Sequence, residues 1–343
     1  MAKTVGNLFE RVVSYDNLYA AYLDARKGKR QQAEVARFSA NLEENLLNIH
    51  NHLVWGSWRP GAARCFRVFE PKQRDIQAPP FVDRVVHHAL VRIVEPYFER
   101  KFIHHTYACR KNKGSQRAVW ALQKMLAKAQ RKYASPYVIK CDISKYFQSM
   151  NHAVLFSEIC KTISCQRTLQ LWLKVTQGYG YVDGIGVPVG ALTSQLDGNI
   201  YLSPLDHAVT SEAGFGSYVR YMDDFIVVVP SKKAAQAMLA FIEEQVMALG
   251  IRLNPKSCYF PLGQGVDFAG YRTWPTHILP RKRNIKKARS KFKKLSKLYA
   301  RGEIGLDYIQ PRVASFLGYT KHCRARRTVK GVLQDFILQR ESV

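Results

Sequence analysis

Three carboxylates stand where the sequence changes direction. Asp223 and Asp224 separate two β-branched and aromatic runs, Tyr218-Val219-Arg220-Tyr221 and Phe225-Ile226-Val227-Val228-Val229, so Met222-Asp223-Asp224 reads as a tight strand-to-strand turn. Asp142 closes another apolar run, Tyr137-Val138-Ile139-Lys140-Cys141, 81 positions before Asp223. Acids are poor residues for the mouth of an apolar hairpin unless something offsets their charge. Hard Mg²⁺ does so, because it takes carboxylate oxygen and keeps waters and substrate phosphates as its other ligands. Two strand ends that bring such acids together would hold two ions roughly 3.5–4 Å apart, the clamp for in-line phosphoryl displacement. A solvated turn and a helix cap are the bland alternatives for the same acids.

The composition agrees with a phosphate-rich partner. The chain of 343 residues has 53 Lys and Arg against 26 Asp and Glu, a net charge of +27. Cations in such excess suit a polyanion, since each one placed on a phosphate releases a condensed counterion. No apolar run approaches the roughly 18–20 residues that span a bilayer. The first residues run into helix-like sequence without a signal-peptide core, so the expectation is a cytoplasmic protein with no membrane partner. Seven cysteines lie scattered with no C-x-x-C pair, which favours reduced thiols over a zinc site. The neighbours His87-His88 and His104-His105 do not share a helix or strand face and make poor metal pairs.

Helices and short strands must position these acids. Up to about Trp58 the sequence reads as helices, with Phe38, Leu42, Leu46, Ile49 and Leu53 on one face. Arg64 to Glu70 alternates as a strand does, and Pro71-Lys72-Gln73-Arg74 is a positively charged turn. Helices are expected from Val82 to Phe98, closed around Pro96, from Ser115 to Lys132, near 152–163, and over 166–176. A glycine-rich loop spans Gly178 to Gly190, and a helix follows from Thr193. Another helix covers Ala234–Leu249, then a short strand pair lies near 251–274. Ten of the seventeen residues 281–297 are Lys or Arg, yet Ile285, Ala288, Phe292, Leu295 and Leu298 keep a helical apolar stripe. This stripe is expected to pack on the preceding lobe.

Taken in order, the segments resemble the successive blocks of the reverse transcriptase family. Asp83-Arg84-Val85-Val86-His87 resembles part of the fingers block, and Tyr107-Ala108-Cys109-Arg110 the Tyr-Gly-Phe-Arg segment of bacterial members. Lys140-Cys141-Asp142-Ile143-Ser144-Lys145-Tyr146-Phe147 and Tyr221-Met222-Asp223-Asp224 resemble the two catalytic blocks. Gly190-Ala191-Leu192-Thr193-Ser194-Gln195, Leu249 to Lys256, and Phe268-Ala269-Gly270-Tyr271 resemble three further palm blocks. The match spans about residues 64–280. Ser194-Gln195 stands where group II intron enzymes carry Ser-Pro, and is similar to the reverse transcriptases of diversity-generating retroelements.

The resemblance implies an α+β right-hand polymerase fold, with an antiparallel palm sheet packed on helices. Its expected parts are a helical extension over 1–60, fingers and the start of the palm over 61–140, palm over 141–278, and a basic helical thumb over 279–343. It further implies an RNA-directed DNA polymerase that copies a template-repeat RNA into error-prone cDNA, with frequent errors opposite adenine. The implied partners are template RNA, the RNA–cDNA hybrid, dNTPs and a pentameric accessory variability protein. A retron or phage-defence reverse transcriptase is the alternative. By the family motif Asp142 and Asp223 ligate two Mg²⁺ ions, with Mn²⁺ a possible substitute. Ile143 lends its carbonyl and Asp224 has a weaker role. Lys72, Arg74, Phe147, Val189, Gln195 and Lys256 are the implied nucleotide contacts, with Phe147 at the steric gate against a ribose 2′-hydroxyl. Val189 occupies a position where many members have glutamine, and an aliphatic side chain there offers the base pair no hydrogen bond. Arg84, Arg110, Gly270, Lys286, Lys287 and Arg289 are the implied template and primer contacts. Asp197-Gly198 departs from the group, which usually has Phe-Ala; glycine there weakens a helix by about 1 kcal/mol. The tail of about 45 residues after the basic segment is too short for an RNase H domain.

Overall fold

The computed structural model describes residues 4–69, 74–181, 183–211 and 217–340. Lys72 therefore lies outside the described residues, and Arg74 is described only as backbone. Helices α1 (Phe9–Val13), α2 (Tyr15–Ala25), α3 (Ala33–Ala40) and α4 (Leu42–Val54) open the chain. A ribbon of β1 (Arg64–Val68) and β2 (Arg74–Ala78) leads to α5 (Phe81–Glu99) and α6 (Ser115–Lys132). Strand β3 (Tyr137–Asp142) precedes α7 (Tyr146–Ser149), α8 (His152–Cys160), α9 (Gln166–Thr176), α10 (Leu192–Tyr201) and α11 (Ser203–Ser211). The hairpin β4 (Tyr218–Tyr221) and β5 (Asp224–Val229) is followed by α12 (Lys232–Ala248). Strands β6 (Cys258–Pro261), β7 (Val266–Phe268), β8 (Tyr271–Thr273) and β9 (Ile278–Pro280) lead to α13 (Lys282–Ala300), α14 (Leu306–Thr320) and α15 (Arg326–Leu333).

The chain forms two compact units. Residues 1–104, 143–212 and 242–254 make the first, and residues 105–142, 213–241 and 255–343 the second. In the first, α2 packs on α5. Phe38 stacks on Tyr22 with ring centroids 5.7 Å apart and meets Phe81 edge-on at 5.1 Å. The buried Asn17 amide ties α1 to α5 by donating to the Val12 and Ala89 carbonyls at 2.9 and 3.0 Å. Asn151 caps α8, its Oδ1 accepting the amides of Ala153 and Val154 at 2.8 and 3.2 Å. Helix α5 runs through Pro96 to Glu99 and does not close at the proline. One turn from the end, its missing N–H costs a single bond.

In the second unit β3 is an inner strand of an antiparallel sheet of order β4-β5-β3-β6. Helix α6 lays Ala118, Leu122, Met125 and Ala129 into a core with Val138, Val219, Ile226 and Val228 of that sheet. The strand pair expected near 251–274 is present as β7 and β8, with β6 before it and β9 after it. β6 joins the main sheet beside β3, and β7-β8-β9 form a separate three-stranded sheet. At three or four residues each, these strands are too short to show a period of two. The stripe of α13 lands elsewhere than expected. Phe292 and Leu295 form a core of their own with Phe316 of α14 and Val332 of α15. The two following helices offer an apolar surface local in sequence, so the apolar stripe of α13 finds its partners there.

Candidate active site

The acids meet at the end of the main sheet. Asp142 is the last residue of β3, Asp224 the first of β5, and the register sets them directly opposite each other. Tyr221 pairs with Asp224, so Met222 and Asp223 alone form the loop of the hairpin. Met222 has φ 59, the positive angle that lets a two-residue loop follow the strand twist. A side chain in that region costs about 1–2 kcal/mol, so the loop must be held. Arg220, wholly buried in β4, does this by donating from a guanidinium nitrogen to the Met222 carbonyl at 3.0 Å. Its own backbone bonds His105 and Tyr107 at 2.9 and 3.0 Å, which lays the Tyr107–Arg110 block along the sheet edge.

Strand alternation puts Lys140 on the face that carries Asp142 and, across the register, Asp224 and Ile226. The Lys140 ammonium donates to the Asp267 carbonyl at 2.5 Å. Burial pushes the Asp224 carboxyl up to about 7; the Lys140 cation opposes this, the Asp142 and Asp223 charges add to it, and Arg281 opposes it in turn. Asp224 Oδ1 is sealed from water and has no hydrogen-bond partner. Two further carboxylates around an oxygen that lacks a donor form a set suited to a hard cation, and the residues fit one. No cage of three or more acidic, His or Cys ligands exists by itself among the described residues. Mg²⁺ needs none, since one or two carboxylates and substrate phosphates complete its shell.

The remaining expected residues divide between the units. Phe147, Val189 and Gln195 belong to the first. Phe147 is half-buried in α7, its ring 5.3 Å from that of Tyr146, and its carbonyl accepts the Val187 amide at 2.8 Å. The Val189 carbonyl accepts the Gln77 amide at 3.2 Å, and a Cβ at Gly190 would lie 3.2 Å from the Gln77 carbonyl oxygen. This close approach fastens the end of the glycine-rich loop to β2. At the start of the loop, the Tyr179 hydroxyl donates to Asp83 at 3.0 Å and lies 3.2 Å from His87 Nε2. Burial keeps that imidazole neutral, its pKa lowered to about 3. Gln195 is exposed on α10. Ile143 forms an isolated antiparallel bridge with Leu253. Arg84 donates to the Pro79 carbonyl at 2.8 Å and lies 3.8 Å from Glu34, so its charge is engaged within the unit.

In the second unit Lys256 is exposed in the turn before β6. Arg110 donates to the Thr106 carbonyl at 3.1 Å. Gly270 has φ 93 at the tip of the β7–β8 hairpin. Its carbonyl accepts from the Tyr319 hydroxyl at 2.6 Å and from Asn284 Nδ2 at 3.3 Å, while the Arg281 amide donates to the same hydroxyl at 3.1 Å. Lys286 and Arg289 are exposed on α13 and Lys287 is half-exposed. The sequence reading missed Lys140, Arg220 and Tyr319. The first two carried a signal, a charge inside an apolar strand run.

The pattern of the family described as "Reverse transcriptase (RNA-dependent DNA polymerase)" matches residues 70–320. Protein YkfC of Escherichia coli (strain K12) is 26% identical over 281 residues, which cover 68% of this chain and 72% of that protein. The group II intron-encoded protein LtrA of Lactococcus lactis subsp. cremoris is 26% identical over 207 residues, 57% of this chain and 33% of LtrA. A solved structure of apo telomerase from Candida tropicalis superposes with TM-score 0.51 at 12% identity, covering 80% of this chain and 59% of that one. The chain thus spans about a third of LtrA and under two thirds of the telomerase chain, and the telomerase likeness carries the fold alone, that of the right-hand polymerases. With its paired acids at the head of an antiparallel sheet, the chain belongs to the reverse transcriptase family.

Proposed function

We propose that the chain synthesises DNA on an RNA template from dNTPs, with Asp142, Asp223 and Asp224 holding two divalent ions, Mg²⁺ by preference. The observation that carries this is the direct opposition of Asp142 and Asp224 beside Asp223, three acids whose mutual repulsion bound cations would relieve. When bound, the ions supply Lewis acidity at the primer 3′-hydroxyl and at the leaving pyrophosphate. Asp142, at the end of β3, and Asp223, in the β4–β5 loop, would hold them, and Asp224 would add charge from the buried side. Lys140 sets the field of the acids from its fixed place on Asp267. Ile143 offers its carbonyl. Lys72, Arg74 and Lys256 meet the triphosphate, Arg74 by a forked guanidinium contact. Phe147 excludes the ribose 2′-hydroxyl, and Val189 and Gln195 line the nascent base pair. Arg110, Gly270, Lys286, Lys287 and Arg289 follow the template and primer, fingers, palm and thumb having the boundaries set out above.

The finer assignment is the diversity-generating type, with a template-repeat RNA and a pentameric accessory protein as partners. Ser194-Gln195 and the aliphatic Val189 support it. Primer extension on RNA with dNTPs and Mg²⁺ tests the whole reading. Synthesis should vanish in Asp223→Ala, and undiminished synthesis by that variant would refute the site. Sequenced cDNA should carry its errors opposite template adenine, fewer of them in Val189→Gln.

A further inference from the structure

The first unit holds an aromatic and basic pocket that polymerisation, as proposed, leaves unused. Helix α4 ends at Val54, and Gly56, with φ 68, reverses the chain. The reversal buries Trp58 but leaves Trp55 71% exposed; the His52 ring meets the indole at right angles, centroids 6.3 Å apart, and most of the indole stays open to a flat partner. Arg167 and Lys174, seven residues apart on one face of α9, reach this turn. Arg167 donates to the Val54 carbonyl at 2.9 Å, with its guanidinium carbon 3.9 Å from the centroid of the Phe9 ring. Lys174 donates to the Gly56 carbonyl at 2.7 Å, and Arg59 donates to the same oxygen at 3.0 Å. Between them lies a cavity of about 250 Å³, walled by Phe9, Leu53, Trp58 and Leu171.

The charges around it are unbalanced. Three cations meet one acid, Glu10, which Arg167 engages at 2.8 Å. Arg59 and Lys174 share one carbonyl oxygen, so their charges repel; burial and then Arg59 lower the Lys174 pKa. An ammonium has three donors and a guanidinium five, so both keep donors after these bonds. An anion is what this corner lacks, and an exposed indole is what a base stacks on. An apolar docking face for a protein would call for fewer cations at its centre.

We propose that this pocket is a subsite for one nucleotide of single-stranded RNA, the base stacked on Trp55 and the adjoining phosphate held by Arg59 and Lys174. Non-specific single-strand sites are built this way, aromatic faces for bases beside cations for the backbone. The choice of RNA over DNA rests on the polymerase reading; the stacking site does not.

Binding in EDTA, where no synthesis occurs, separates the two. Fluorescence anisotropy with a 20-nucleotide single-stranded RNA should show Trp55→Ala weakened about tenfold and Trp55→Phe close to the parent. The salt slope of Lys174→Gln should fall by about one ion. A double-stranded RNA of equal length, whose bases stack internally, should bind the parent and Trp55→Ala alike. Trp55 is exposed, so the melting temperature should hold and a folding defect would be seen directly. Unchanged single-strand affinity in Trp55→Ala overturns the proposal, as does an equal loss on the duplex. Equal affinity for single-stranded DNA would overturn the choice of RNA, and a change of oligomeric state with RNA binding intact would make the pocket a protein contact. Failure of primer extension with this pattern intact would count against the polymerase reading alone.

Discussion

Asp142 and Asp224 face each other as a register pair of β3 and β5, on the face they share with Lys140. Like charges in that arrangement destabilise a sheet by up to about 1 kcal/mol, and burial adds to the penalty. Asp224→Asn should therefore raise the melting temperature in EDTA by a few degrees while lowering DNA synthesis by about 10–100-fold. Calorimetry and primer extension on the same preparation check both arms. A variant that is neither more stable nor slower would remove Asp224 from the site.

The Tyr319 hydroxyl links α14 to the β7–β8 turn through the Gly270 carbonyl at 2.6 Å. Its loss leaves the turn carbonyl with the longer Asn284 contact at 3.3 Å. In Tyr319→Phe we expect a stability loss of about 1 kcal/mol. The KM for primer–template should rise several-fold with the KM for dNTP unchanged, as steady-state titration of each substrate would show.

Asp197, the departure on α10, is fully buried. Trp172 Nε1 donates to its Oδ1 at 2.8 Å and Oδ2 has no partner. Burial pushes this carboxyl up to about 8 from 3.8, against the Trp172 hydrogen bond. Below pH about 4 both folded and unfolded chains carry the proton; between about 4 and 8 only the folded chain does. Stability should thus fall as pH rises through that window. Asp197→Asn should flatten the slope and gain on the order of 2 kcal/mol at pH 8, with little change near pH 4. Urea melts at four pH values measure it, and parallel curves for the two proteins would exclude Asp197 as the source.

Phe147→Ala should admit ribonucleotides. A missing ring opens room for one hydroxyl, a discrimination of about 10–100-fold on the scale of small steric pockets. Competing dNTP and rNTP incorporation opposite one template base reads it out, and unchanged selectivity would place the gate on another residue.

Much of the site was legible because its strands are long enough to carry a pattern. Six residues from Tyr137 and two apolar runs around Met222 announce the hairpin and its acids. The apolar stripe of α13 was legible for the same reason, at a period of 3.6. Its partners were not, because no pattern in 281–297 says whether Phe292 meets a sheet or the helices that follow. Lys140 could have been found by counting two residues back along the strand. Asp197 could not, since the indole that meets it lies 25 residues away on another helix, and only the fold brings them together.

The alternation of the two units along the chain bears on how the protein is made. The boundary is crossed five times, after residues 104, 142, 212, 241 and 254. During synthesis β3 emerges long before either neighbour: β5 follows more than 80 residues later, and β6 later still. An inner strand with both edges open in the interval is a template for wrong pairing. The sheet that carries the acids thus stays open to wrong pairing until β6 has emerged, and its folding yield should depend on the speed of elongation and on chaperones.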